Sequence, residues 1–260
     1  MVTVVAAGND NKDALNASPA MVDHAITIAA SGYLDLKAAF SNWGEKIDVA
    51  APGVDILSTK SSAGSMCSSS VIGTRYCRAS GTSMATPHVA GLAALLLSKD
   101  PTLTNEEIRQ LIRKGAADLG TSGKDANFGY GRINATKSLS LAAAKPLIPF
   151  ISSPRSKSVV YGTVQVFGSV TGPNFANYTL RLGAGRDETG WITLASSNVQ
   201  ITNGNLATID TTQISDAYYK IRLTAADRDG ATYDFQVNDV EVDHFDAAIT
   251  EPITLPFQLV

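Results

Sequence analysis

Charge is scarce in this chain: Lys, Arg, Asp and Glu make up 17% of its 260 residues, against about 25% in an average soluble domain. The net charge of -3 and an isoelectric point near 5.6 offer no basic patch for nucleic acid. Histidine is rarer still, at three residues (His24, His88 and His244), so there is little from which to build a His-ligated metal centre, and none is expected. The two cysteines, Cys67 and Cys77, stand too far apart for a C-x-x-C redox or zinc pair. A disulfide between them is favoured over two free thiols; it would close a short loop ahead of residues 81–91. Long hydrophobic runs are missing as well. The first, Val2 to Ala7, is too short to cross a bilayer, and no positively charged segment precedes it as one would in a signal peptide. What remains is rich in Ser, Thr, Asn and Gly, a composition that points to an exported protein.

Two segments carry chemistry. Residues 81–91 read Gly81-Thr82-Ser83-Met84-Ala85-Thr86-Pro87-His88-Val89-Ala90-Gly91. Gly81 can adopt backbone angles closed to other residues and lets a substrate chain approach, and Thr82 stands where it can cap a helix. Ser83 then falls at the helix mouth, with its N–H outward and the positive end of the helix dipole beside it. Pro87 is expected in or just past the first turn, and the run from Leu92 to Leu97, apolar all round, predicts a buried helix. The second segment, Val2-Thr3-Val4-Val5-Ala6-Ala7-Gly8-Asn9-Asp10, reads as a buried parallel strand ending in a turn.

The 81–91 string resembles the nucleophile segment of the subtilisin-like serine proteases (subtilases), and Val4-Val5-Ala6-Ala7-Gly8-Asn9 is similar to the family's oxyanion segment. It is not a G-x-S-x-G elbow, because Ala85 replaces the second glycine. The resemblance implies Ser83 as nucleophile, Asn9 as oxyanion donor, Ala6, Ala7 and Gly8 as a wall of the primary specificity pocket, Gly81 and Thr82 as substrate-binding residues, and His88 as a structural histidine. Family order continues through Phe40-Ser41-Asn42-Trp43-Gly44, Ile47 to Ile56, and Asn127-Phe128-Gly129-Tyr130-Gly131-Arg132-Ile133-Asn134, covering Val2 to about Ala144. Between the last two, Thr104 and Glu107 form a capping box for a helix with Ile108, Leu111 and Ile112 on one face and Gly115 as its stop.

The family's triad appears in the order Asp, His, Ser, and neither a D-[ST]-G nor an H-G-T motif is present. His88 is five residues past Ser83, about 140° round a helix, and cannot turn onto it. His24 leads into an apolar strand and His244 lies in an acidic tail. The expectation is therefore the C-terminal half of a subtilase catalytic domain, inactive alone, whose missing N-terminal half carries the base and any export signal. No cofactor is required for the chemistry. A structural calcium ion is left open, since Asp10, Asp13, Asp48 and Asp55 fit solvated loop residues as readily as ligands.

Prolines at 146, 149 and 154 mark a boundary. Beyond it the period becomes two, with Val164/Val166/Val170, Tyr178/Leu180/Leu182, Tyr219/Ile221/Leu223 and Tyr233/Phe235/Val237 alternating between turns at 171–174, 202–205 and 227–230. The expected fold class is α/β: a partial three-layer parallel-sheet domain at 1–145, followed at 146–260 by an antiparallel β-sandwich similar to immunoglobulin or fibronectin modules. The expected partner is a polypeptide substrate, with no membrane segment. A non-catalytic secreted adhesion module, with the sandwich as the binding element, is the rival reading.

Overall fold

The computed structural model describes residues 1–61, 70–185 and 190–244. The chain forms two compact units, Met1–Ile148 and Pro149–Val260.

In the first unit, β1 (Val4–Ala6), β2 (Ile26–Ser31) and β3 (Val49–Pro52) make a parallel sheet in the order β1-β2-β3, with Val4 opposite Ile26 and Ile28 opposite Val49. β4 (Ile56–Thr59), β5 (Val71–Ile72) and β6 (Tyr76–Ala79) form a small antiparallel sheet ordered β4-β6-β5. Three helices follow: α1 (Thr82–Lys99), α2 (Asn105–Gly115) and α3 (Ala135–Leu141). Strand alternation sends Ile26, Ile28 and Ala30 to one face, where they pack with Ala85, Val89, Leu92 and Leu96 of α1 and Ile108, Leu111 and Ile112 of α2. The other face presents Ala7, Ala29 and Ala50, covered by Ala14, Ala20, Ile47 and Phe128. All three helices therefore lie with one face of the sheet, and the expected three-layer arrangement is, among the described residues, helices, sheet and loops. The alanines are small enough for loop backbone to sit directly on that second face.

The helix ends follow local rules. Thr104 accepts from the Glu107 N–H at 3.2 Å while the Glu107 carboxylate accepts from the Thr104 N–H at 2.7 Å, a complete capping box, and α2 ends on Gly115. Asn134 caps α3. α1 departs from expectation at its cap, for Gly81 is its N-cap without a side-chain bond and Thr82 is its first residue; Pro87 falls just past the first turn, as expected. Nor is α1 buried all round, for Leu95 is 52% exposed.

The second unit is built from β7 (Ile148–Ser153), β8 (Val159–Val160), β9 (Thr163–Thr171), β10 (Phe175–Ala184), β11 (Ile192–Ser197), β12 (Ile201–Asp210), β13 (Ala217–Asp227) and β14 (Thr232–Val242). They form sheets ordered β11-β10-β13-β14-β8 and β12-β9-β7. Side chains of both sheets, among them Val164 and Ile209 from one and Leu182, Ile221 and Val240 from the other, line one apolar pocket. Two expectations are corrected. β8 joins β14 in parallel, so the larger sheet is mixed. Residues 202–205, expected as a turn, lie within β12 as an irregularity in its pairing with β9, Asn203 taking a φ of 46°.

Candidate active site

The three parallel strands run out at Gly8, Gly32 and Gly53, so the loops at their carboxyl ends share one edge of the sheet, the usual place for a ligand in an α/β sheet. α1 begins at that edge. The Gly81 N–H donates to the Gly53 carbonyl at 2.8 Å. A Cβ on Gly53 would come within 2.6 Å of the Ala30 Cβ and 2.9 Å of the Gly81 carbonyl, so only glycine permits this approach.

Thr82, fully buried, joins the two sequence segments. Its hydroxyl donates to Asn9 Oδ1 at 3.0 Å and accepts from the Gly8 N–H at 3.2 Å, and its own N–H donates to Asn9 Oδ1 at 2.9 Å. With the carboxamide oxygen held twice, the Asn9 Nδ2 is turned the other way. A Cβ built on Gly81 would lie 3.6 Å from Asn9 Nδ2 and 3.7 Å from the Ser83 N, so both donors border the same space, which glycine leaves empty. The Ser83 N–H, in the first turn of α1, has no acceptor among the described residues, and its exposed hydroxyl has no partner there either. Pro87 lacks an N–H and leaves the Ser83 carbonyl without its usual partner four residues on.

The other expected residues fall as follows. Ala7 is fully buried beside Ala14, Ala29 and Ile47, whereas Ala6 and Gly8 are half-buried. A groove of about 350 Å³ opens at Ser83, lined also by Ile56, Leu57, Ser58, Met84, Pro87 and His88. His88 Nδ1 donates to the Met84 carbonyl at 3.0 Å. His24 precedes β2 at the opposite end of the strands, roughly 20 Å from the loop edge at ~3.3 Å per residue. His244 belongs to the second unit, where its Nδ1 contacts Asp216 and its Nε2 bonds the Thr211 carbonyl. Cys77 is disulfide-bonded; its expected partner Cys67 lies outside the described residues.

Three of the four uncommitted carboxylates lie at or near the surface, Asp55 pairing with Arg78 at 2.7 Å. Asp48 does not: it is fully buried just before β3, far from the loop edge, which removes the solvated-loop alternative left open for it. Its Oδ2 accepts from the Thr27 N–H at 2.7 Å and its Oδ1 from Arg109 Nε at 2.8 Å and Arg113 Nη2 at 2.5 Å. Burial alone would raise its pKa; Arg109, Arg113 and Lys46 overcome that and hold it well below the carboxylate range. Burial pushes the Lys46 ammonium down to about 7, Arg109 and Arg113 adding to the shift and Asp48, 3.7 Å away, opposing it. Among the described residues, no group of three or more His, Cys, Asp or Glu is placed to hold a metal ion.

Asn42 was not singled out from sequence. It is 2% exposed and bonds the loop after β1 at several points. A lone Asn between Ser41 and Trp43 carries no periodicity, and its partners are 30 to 35 residues away.

Residues 1–131 match the model of the subtilase family. The chain is 46% identical over 131 residues to a thermophilic serine proteinase of Bacillus sp. (strain AK1), 37% over 133 residues to the minor extracellular protease Epr of Bacillus subtilis, and 51% over 104 residues to cerevisin of Saccharomyces cerevisiae. These matches cover 50%, 51% and 39% of this chain and 29%, 19% and 15% of those proteins, so the chain spans less than a third of each relative's length. A solved protease of Pseudoalteromonas arctica matches 55% of this chain and 43% of its own at 34% identity and a TM-score of 0.47.

Proposed function

The chain belongs to the subtilase family, and from that premise we propose that its first unit supplies the nucleophile and oxyanion donors of a serine endopeptidase acting on polypeptides. Ser83 Oγ attacks the scissile carbonyl, and the oxygen that becomes negative accepts from Asn9 Nδ2 and the Ser83 N–H. The observation that carries this reading is the pair of N–H donors bordering the empty space beside Gly81. Removing such an asparagine costs roughly 10²–10³ in turnover, a magnitude taken from subtilisin rather than worked from this structure.

The base is the part this unit does not furnish among its described residues: His88 is committed to Met84 and His24 is at the wrong end of the strands. The reading assigns it to a segment that precedes this one in the family's chain order. The 260 residues alone are then a weak catalyst, keeping at most the residual 10³–10⁴-fold over water that an oxyanion hole and binding give, roughly. The second unit is read as a β-sandwich accessory module, supported by the pocket its two sheets line together and the Phe150–Phe235 ring contact at 5.3 Å. Export is the proposed destination, in keeping with the composition.

Fluorophosphonate labelling tests the assignment. The chain alone should label at a small fraction of the rate of an intact subtilase. Adding a subtilase segment that carries the Asp and His motifs should raise labelling at Ser83, and Ser83→Ala should abolish it. Rapid labelling of the isolated chain would overturn the assignment of the base, and labelling of the complemented chain elsewhere than Ser83 would overturn the assignment of the nucleophile.

A further inference from the structure

We propose that Asn42 is a positioning residue for the oxyanion donor, setting the course of the loop that presents Asn9; this rests on the role given to Asn9 above. Thr82 fixes which way the Asn9 carboxamide turns, but where its Cα stands depends on the backbone from Ala7 to Lys12, and that backbone is held from Asn42. Asn42 Nδ2 donates to the Ala7 carbonyl at 2.9 Å. Its Oδ1 accepts from the Asp10 N–H and the Lys12 N–H, each at 3.0 Å, and its own N–H donates to the Gly8 carbonyl at 2.9 Å. The residues on either side of Asn9 thus meet one residue, Gly8 through the Asn42 main chain and Asp10 through its side chain.

The chemistry of the contact selects asparagine. The loop offers an acceptor on one side and two donors on the other, and Asn carries one NH₂ and one carbonyl oxygen on a short stem. Asp would lack the donor for Ala7, and Gln would be one carbon too long. Fit runs in both directions: Gly8 has a φ of 107°, and a Cβ there would stand 2.4 Å from Asn42 Nδ2. Glycine at 8 and asparagine at 42 are one device, the amide filling the place a side chain at 8 would take. Asn42 itself stays in place because the segment around it is laced to the same loop, the Asn11 N–H donating to the Phe40 carbonyl at 2.9 Å and the Trp43 N–H to the Lys12 carbonyl at 3.0 Å.

A donor that must meet a developing oxyanion tolerates little displacement, since an error near 1 Å costs on the order of 10²-fold. The test needs no turnover. An N-acetyl-tetraalanine carboxylate, whose terminal oxygens stand in for the oxyanion, is titrated into ¹⁵N-labelled full chain while the Asn9 side-chain NH₂ and Ser83 backbone N–H signals are followed. In the unaltered chain both should shift together. In Asn42→Ala the dissociation constant should rise about tenfold or more, with the Asn9 signal moving least. Ile112→Val, a mild core loss on α2 with no bond to the loop, serves as a stability control and should keep the unaltered affinity. Should Asn42→Ala fail to fold, Asn42→Asp, which retains both acceptor contacts, carries the test and should weaken binding by a smaller factor. Unchanged affinity in a folded Asn42 variant overturns this inference alone. Silence of both signals in the unaltered chain overturns the oxyanion assignment, and this inference with it.

Discussion

Replacing Asp48 by Asn removes one charge and no volume, yet it should be among the most damaging single changes in the first unit. Asp48 accepts four hydrogen bonds from protein groups: Thr27 N–H at 2.7 Å, Arg109 Nε at 2.8 Å, and Arg113 Nε at 2.9 Å and Nη2 at 2.5 Å. An amide must turn its NH₂ toward the Thr27 N–H or toward the guanidinium groups, so a donor faces a donor in either orientation. The buried Arg109 and Arg113 guanidinium groups and the Lys46 amine, each no more than 7% exposed at the side chain, would then lose the carboxylate they share, Glu106 remaining 3.5 Å from Arg109 and Asp23 still acting on Lys46. Breaking a buried ion pair from one side costs about 3–5 kcal/mol. For a unit near 150 residues that lowers the melting temperature by on the order of 10 °C. The assay is urea and thermal unfolding with the two units' transitions resolved, because a two-unit chain has no single unfolding free energy. The second unit's transition should not move. Asp48 has its folded pKa depressed, so its contribution is complete above the unfolded value of about 3.9 and fades as pH falls below it. The gap between Asp48→Asn and the unaltered chain should accordingly be full at pH 7 and narrow below about pH 4. A loss under about 1 kcal/mol at pH 7 would mean that solvent or neighbouring groups relieve the cations, and the reasoning would fail.

Lys46, with its pKa lowered to about 7, binds fewer protons folded than unfolded between pH 7 and its ordinary value near 10.5, so the first unit should gain stability across that window, by up to about 1.4 kcal/mol per pH unit, and Lys46→Met should flatten the rise. Thr82→Val deletes the hydroxyl that joins Asn9 Oδ1 to the Gly8 N–H; in the complemented chain it should lower kcat about tenfold with KM nearly unchanged, and an effect on KM alone would speak against it. Thr104→Ala should cost about 1 kcal/mol of first-unit stability in urea melts by opening the capping box. Gly115→Ala should cost more, because its Cβ would fall 2.7 Å from the Ser138 Cα where α2 meets α3. Residues 146–260 expressed alone should melt cooperatively, measured by circular dichroism; a disordered fragment would refute the second unit's independence.

Where the information was short-range, the chain stated its structure openly. The apolar run before Gly8 predicted β1, the Thr104/Glu107 pair predicted the start of α2, and period-two alternation predicted β9, β10, β13 and β14, because a cap or a pleat is decided by residues within four positions of each other. The strings around Ser83 and Asn9 were likewise readable as strings. Their meeting was not: that Thr82 spends its hydroxyl on Asn9 rather than on a helix cap follows from bringing residues 9 and 82 together at one edge of the sheet. Burial was decided at the same level. Asp48 and Asn42 are loop-type residues by sequence, and each became a buried hub because the tertiary fold supplied partners 21 to 65 residues away for Asp48 and 30 to 35 away for Asn42. A polar side chain is driven inside not by its own preference but by the unpaired backbone and charged groups it meets there, and those are fixed only when the chain closes on itself.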